Sequence, residues 1–216
     1  MADPWAFGWT QLLTIAGLLI TISIAVSGFR TFGRWKREKV EELRIETAIE
    51  ALAVAYESKF VFQHIRGALV EGHEWSGMER RPGHNDTQHN SLGSFYAVLE
   101  RIKSNRDFFE HLWKMQPKCM AIFGPQIEDT FMLVHKSRRH VEVACQMLSS
   151  RINDGDAITD ETRKLYDQLR RDMSDHGDFE PEKDRVGKML QAFIVQMEAS
   201  CRPIIDKTFK PNPAFS

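Results

Sequence analysis

The stretch PWAFGWTQLLTIAGLLITISIAVSGF, residues 4–29, decides the fold, because it holds 26 consecutive residues without an ionisable side chain. A helix rises about 1.5 Å per residue, so residues 9–29 would cover about 30 Å, the thickness of a bilayer hydrocarbon core. The sequence therefore predicts a transmembrane helix over residues 9–29. A short extracytoplasmic N-terminus, residues 1–8, would precede it.

The charges on either side of this stretch predict its orientation. A cleaved secretory signal starts with basic residues, whereas here only Asp3 precedes the apolar stretch. The basic residues follow it, and they are Arg30, Arg34, Lys36, Arg37 and Lys39. Because basic flanks stay in the cytoplasm, we expect a single-pass protein of the cell inner membrane. Its N-terminus would lie outside, and residues 30–216 would form a cytoplasmic domain.

Charge and cysteine content exclude some classes of partner and chemistry. The chain carries 29 basic and 30 acidic side chains, a balance that does not favour a nucleic-acid partner. Cys119, Cys145 and Cys201 are widely spaced, and none belongs to a CxxC pair. We therefore expect three small core residues in a reducing compartment and no disulfide framework.

Apolar residues at steps of three and four predict an all-α fold, in which the transmembrane helix continues into a cytoplasmic antiparallel bundle of four or five helices. The predicted boundaries are a juxtamembrane amphipathic helix over 30–66, a flexible loop over 67–91, the remainder of the bundle over 92–206 and a disordered tail over 207–216. The apolar positions of the juxtamembrane helix are Ile45, Ala48, Ile49, Leu52, Tyr56 and Phe60.

The later helices have predictable ends. The second should run from Leu92 to just before Pro117, and the third should start at Ile127 and reach Ile152. The fourth should start after Thr159, and the last at Pro181. Arg138 occupies an apolar position of the third helix, where it could extend past the core edge or pair with a buried carboxylate such as Glu100 or Glu57.

No catalytic, cofactor-binding or metal-ligating residue can be assigned from motifs, and we expect no enzyme activity and no cofactor. HExxH, Glu-x-x-His, GxxxxGK[ST], GxGxxG and GxSxG are all missing from the sequence. One polar set shares the predicted loop, and its members are His73, Glu74, His84, Asp86 and His89. The set could ligate Zn if the loop folded back, but its spacing is that of no known site, so a solvated loop is favoured.

Two further surfaces suggest partners. Gly17, Thr21 and Ala25 repeat at intervals of four in the span, a small-residue pattern through which two copies could form a homodimer. A second surface combines basic residues with acids, which favours a solvated, salt-bridged exterior over RNA binding. Contact with anionic lipid head groups is a third interpretation, ranked between these two. The members of this second surface include His135, Lys136, Arg139, His140, Asp167, Arg170, Arg171 and Asp172.

Residues 30–66 resemble an uncharacterised family of bacterial single-pass membrane proteins with a cytoplasmic helical domain. The matching residues are Trp35, Arg37, Glu38, Arg44, Glu46, Ala48, Ala51, Leu52, Tyr56, Ile65 and Arg66. The chain departs from that pattern where Gly67 and Ala68 replace a Ser-Pro pair, and the resemblance implies no function.

Two functions therefore remain open. The first is an interaction or scaffolding module at the inner membrane face, with the lipid bilayer and an unidentified protein as partners. The second is a membrane-tethered enzyme, or a ligand or metal sensor that uses the bundle interior or the histidine-rich loop.

Overall fold

The computed structural model describes residues 8–80, 82–151, 159–175 and 181–209, and in these residues the fold is all-α, as predicted. Short 3₁₀ turns at Gly72–Trp75 and Pro181–Lys183 accompany the helices. The helices are α1 Trp9–Ile65, α2 Asp86–Ser104, α3 Arg106–Phe123, α4 Ile127–Ser150, α5 Asp160–Met173 and α6 Arg185–Phe209.

The chain divides into two compact units, residues 1–46 and residues 47–216. In the first unit, α1 runs through Gly28 and Gly33 without a break. Among the described residues, α1 is the one helix that is long and apolar enough to cross a membrane. Its most apolar 18-residue window has a mean hydropathy of 2.2, and none of that window is buried inside the protein.

The second unit is a helical bundle in which α4 contacts α2, α3, α5 and α6. Phe131 of α4 packs against Phe193 of α6 with ring centroids 5.8 Å apart, and Phe62 of α1 packs edge-on against Phe109 of α3. The three cysteines are completely buried and free, which agrees with the core role predicted for them.

The predicted apolar face of α1 was only partly correct. Ala48 and Leu52 are buried, but Ile49 is 48% exposed and Phe60 is 67% exposed. The buried face consists instead of small side chains and of the last apolar residues of the helix. These residues are Ala51, Ala55, Ser58, Phe62 and Ile65. Small residues let neighbouring helices approach closely, so they decide which face of this helix packs inward.

The predicted second helix is in fact two helices, α2 and α3. The backbone N–H of Asn105 and its side-chain Nδ2 both donate to the carbonyl of Arg101, at 3.2 and 2.7 Å, and so end α2. Helix α3 then continues through Pro117 to Phe123. Met115 and Cys119 are buried on either side of that proline, and their packing offsets the backbone hydrogen bond that it removes.

Three other boundaries differ from the prediction. α2 begins at Asp86, inside the predicted loop, because Asn85 and Gln88 form a capping box. α6 begins at Arg185, after Asp184 accepts a hydrogen bond from the backbone N–H of Gly187 at 3.0 Å. α6 also extends to Phe209, into the predicted tail.

Two starts were predicted correctly, Ile127 for α4 and the Thr159 cap for α5. The predictions for residues 1–7, Ile152 and residues 210–216 lie outside the described residues.

Candidate functional site

The segment after α1, residues 67–80, is held down by one arginine, and we call it the clamped segment. Arg101 of α2 is buried, and its guanidinium donates five hydrogen bonds. Two go to the carboxylate of Glu74 at 2.6 and 2.7 Å, and the others go to the carbonyls of His64, Gly67 and Leu69. A planar fork of five donors suits this set of acceptors.

The electrostatics of the clamp favour ionised Glu74. The hydrogen bond from Arg101 lowers the pKa of Glu74 from 4.5 to about 2, against a smaller opposing effect of burial. The backbone N–H of Glu71 also donates to this carboxylate, at 2.9 Å, and lowers its pKa as Arg101 does. The carboxylate is therefore fully charged at neutral pH, and the ion pair with Arg101 is complete.

Trp75 forms the second attachment of the clamped segment. Its indole lies directly on Gly93 of α2, where an added Cβ would come within 2.6 Å of the ring. Gly93 is buried, so its missing side chain is what leaves room for the indole. Apart from the glycine itself, no sequence signal predicted this contact.

Two clefts lie beside the clamped segment. The first, which we call the apolar cleft, has a volume of about 430 Å³. It is lined by Gly77, Met78, Glu79, Leu92, Phe95, Tyr96, Leu99 and Ser149. The second, which we call the acidic cleft, has a volume of about 510 Å³ and is lined by His64, Leu69, Glu71, His73, Glu74, Ala97, Glu100, Arg101 and Ser104. Both volumes lie in the range of small-molecule pockets, roughly 300–1,000 Å³.

The polar set of the predicted loop is distributed over separate interactions. Glu74 forms an ion pair with Arg101, and Asp86 forms one with Arg80 at 2.6 Å. The imidazole Nδ1 of His73 lies 3.2 Å from the carboxylate of Glu71. His89 lies in the first turns of α2. Nowhere in the described residues do three His, Cys, Asp or Glu side chains form a group that could hold a metal ion.

A second buried arginine, Arg66, directly follows α1 and binds both α5 and the residue that precedes α6. Its guanidinium binds the carboxylate of Asp184 at 2.9 and 3.0 Å and the carbonyls of Arg171 and Asp172. The Asp172 side chain is itself fully buried and is bound by Arg185. The sequence analysis placed Asp172 on the solvated exterior, and this assignment was wrong, because the charge of Arg185 makes burial of the carboxylate feasible.

Arg138 of α4 is engaged as well, and two histidines of the same helix have lowered pKa values. Arg138 pairs with Glu142 at 2.7 Å and lies 4.6 Å from the ring centre of Phe109, so its carboxylate partner is Glu142 and not the predicted Glu100 or Glu57. Burial, and secondarily Arg138, lowers the pKa of His135, whose ring stacks on Trp113. Burial, and secondarily Arg185, lowers the pKa of His140. Both imidazoles are therefore neutral at pH 7, which reduces the positive charge of this surface.

An exposed apolar row on α1, Ile49, Ala53, Tyr56 and Phe60, lies within the second unit, and we call it the α1 stripe. The hydroxyl of Tyr56 donates to Glu198 of α6 and accepts from Arg202 at 3.0 Å. Val195 of α6, one turn before Glu198, is 50% exposed. The sequence analysis assigned Ile49, Tyr56 and Phe60 to the apolar face of this helix, but they lie on the surface of the bundle.

No model of a known protein family, no curated protein and no solved structure matches the chain.

Proposed function

We propose that this protein is an interaction or scaffolding module, anchored in a bacterial inner membrane by the first part of α1. In this proposal the N-terminus lies outside the cytoplasm, and the bundle of residues 47–216 holds a protein partner at the inner face. The resemblance to single-pass bacterial proteins is part of the same proposal. Nucleic acid is not a proposed partner, because the charges of the chain are balanced.

The observation that carries the proposal is the complete exposure of an apolar helix. Leu13, Leu18 and Ile24 are each more than 60% exposed, and the 18-residue window around them has no buried share. An exposed apolar surface of this length is unfavourable in water and favourable in a bilayer. The five basic residues that follow are also exposed, and this arrangement supports a cytoplasmic location for the side on which they lie.

The α1 stripe supports the interaction role. Its residues recur at steps of four, three and four, the spacing with which one helix packs along another. We therefore propose an amphipathic helix of a partner protein as the occupant, docked along Ile49, Tyr56 and Phe60.

A homodimer through Gly17, Thr21 and Ala25 of the span is a separate proposal, and the Thr21 hydroxyl already donates to the carbonyl of Gly17 at 2.9 Å.

Cysteine labelling in intact bacterial cells tests the orientation. The native thiols give little background, since burial raises the pKa of Cys119 and Cys145 to about 12 and that of Cys201 to about 11. We expect a membrane-impermeant maleimide to label Gly8→Cys, and to label Glu41→Cys only after lysis. Labelling of Glu41→Cys but not of Gly8→Cys in intact cells would show that the orientation is the reverse of the proposed one. Recovery of the full chain in the soluble fraction would refute the membrane anchor.

Photocrosslinking tests the α1 stripe. A photoreactive phenylalanine analogue at Phe60 should capture one reproducible partner in cells, whereas the same analogue at Glu161, an exposed position on α5, should not. The partner should be lost when Ile49 is changed to Asp. Equal capture from Phe60 and Glu161 would remove the stripe as the docking surface.

Association in the membrane tests the homodimer. Gly17 has open space around its Cα, so Gly17→Ile leaves the helix itself intact. If two copies pack through this face, the Gly17→Ile and Ala25→Ile double variant should abolish dimers in a membrane association assay. Unchanged dimers would place self-association elsewhere in the chain.

A further inference from the structure

The apolar cleft is built by three parts of the second unit, which are α2, residues 77–79 and Ser149 of α4. Leu92, Phe95 and Leu99 lie on one side of α2 at steps of three and four, and they form its floor. Residues 77–79 of the clamped segment form the opposite wall. Leu92 is buried, while Phe95 and Leu99 are partly exposed, so apolar surface remains accessible inside the cleft.

The wall of the cleft is fixed before any ligand arrives. Glu74 is bound to Arg101 and Trp75 is seated on Gly93, both directly before the residues that line the cleft. The backbone N–H of Met78 donates to the carbonyl of Trp75 at 2.9 Å, which holds the wall to this attachment. A preformed wall lowers the ordering cost of binding, as in most small-molecule sites.

The chemistry of the lining defines the ligand. Two aromatic rings and the thioether of Met78 suit a compact apolar or aromatic body. Among the residues that the structure describes, Glu79 is the only carboxylate of the lining, and no basic side chain belongs to it. The adjacent cation, Arg80, is directed instead to Asp86 and to the carbonyl of His84. The cleft therefore presents an apolar interior with one negative charge at its rim.

We propose that this cleft is a binding site for a small amphipathic amine. The apolar body of the amine lies against Phe95, Leu99 and Met78, and its ammonium group pairs with the carboxylate of Glu79. Such a site would make the bundle a ligand-responsive module, which goes beyond the anchoring and docking roles proposed above. It does not depend on either of them, because all of its residues lie within residues 77–149.

Ligand-observed fluorine NMR on the full chain in zwitterionic nanodiscs tests the proposal, with empty nanodiscs to subtract partitioning into lipid. The probe is 4-fluorophenethylamine, and its neutral counterpart is 2-(4-fluorophenyl)ethanol. We expect the amine to bind about fivefold more tightly than the alcohol, as one partly exposed ion pair allows. Glu79→Gln should remove this preference, and Glu161→Gln, an exposed carboxylate on α5, should preserve it.

A blocking variant tests the location. Ser149→Phe places a large ring in the cleft and should abolish binding of both probes, while circular dichroism and hydrogen exchange of α4 confirm that the variant is folded. If Ser149→Phe is unfolded, Leu99→Trp is the second blocking variant and should give the same loss. Equal affinity for the amine and the alcohol would overturn the proposal, and so would undiminished binding in a folded blocking variant.

Discussion

The Arg101 clamp leads to a prediction about stability, in which Arg101→Lys keeps the positive charge but removes the planar fork. The arginine donates five hydrogen bonds, and a lysine ammonium has three donors, so at least two acceptors lose their partner. Each unsatisfied and largely buried acceptor costs about 1–1.5 kcal/mol, so the loss should be roughly 2–3 kcal/mol.

For a domain of this size, each kcal/mol lowers the Tm by about 2–4 °C, and the expected shift is roughly 4–12 °C. The assay is thermal unfolding of the full chain in zwitterionic micelles, followed by near-ultraviolet circular dichroism, with hydrogen exchange of residues 67–80 as a local readout.

Arg106→Lys is the matched control, because Arg106 lies on a neighbouring helix, has a 79% exposed side chain and pairs with Glu110 of the same helix. Its loss should stay within about 0.5 kcal/mol, as for other exposed pairs on one helix. If the two lysine variants have the same Tm and the same exchange in residues 67–80, the clamp contributes nothing to stability and the reasoning is refuted.

Three other predictions concern the same unit. The Glu74 pKa of about 2, below its ordinary 4.5, means that its contribution is complete above pH 4.5 and is lost as the pH falls toward 2. Acid titration of stability should therefore show roughly 1–2 kcal/mol lost over this interval, after allowance for solvent screening, and Glu74→Gln should remove that dependence. Gly93→Ala should lower stability by about 1–3 kcal/mol, because the added Cβ collides with the ring of Trp75. Gly77→Ala should change the Tm little, because the added Cβ would lie 3.6 Å from the hydroxyl of Tyr96. Phe62→Ala should cost about 3–5 kcal/mol in denaturant unfolding, but Phe60→Ala should cost under about 0.5, and similar costs would mean that the α1 stripe is packed.

Local sequence signals predicted the features that depend on a few neighbouring residues. Thr159 as the cap of α5 is one example, since its hydroxyl accepts from the backbone N–H of Thr162 at 3.2 Å. The start of α4 at Ile127 is another, because Gly124 and Pro125 interrupt the chain just before it. The length and composition of residues 9–29 were sufficient to predict one long apolar helix.

Periodicity could not decide which apolar residues of α1 face inward. Ile49 and Phe60 are as apolar as Leu52 and Phe62, yet the first pair is exposed and the second is buried. The choice depends on where α3 and α6 supply complementary surface, and that information is distributed over distant parts of the chain. The break at Asn105 was missed for a different reason, since it depends on one local hydrogen bond from an asparagine side chain to the carbonyl of Arg101.

The charged residues of the site were the least predictable. Arg66, Arg101 and Asp172 are ordinary surface residue types, but each is buried with a partner at least 13 residues away. A sequence search for chemistry selects histidines and carboxylates that lie close together, as in the predicted loop, whereas the structure builds its polar centres from long-range arginine contacts.

These long-range contacts also explain how a glycine-rich segment can form one wall of a cleft. Residues 67–80 bury few apolar side chains of their own, so hydrophobic packing alone would leave them close to local unfolding. Arg101 replaces that packing with five directed hydrogen bonds, and Trp75 adds one large contact on Gly93. A ligand in the apolar cleft would contact residues 77–79 of the same segment. Occupancy of the cleft should therefore reduce hydrogen exchange in residues 76–80 first, and in Arg101→Lys this protection should be larger because the unliganded segment opens more often.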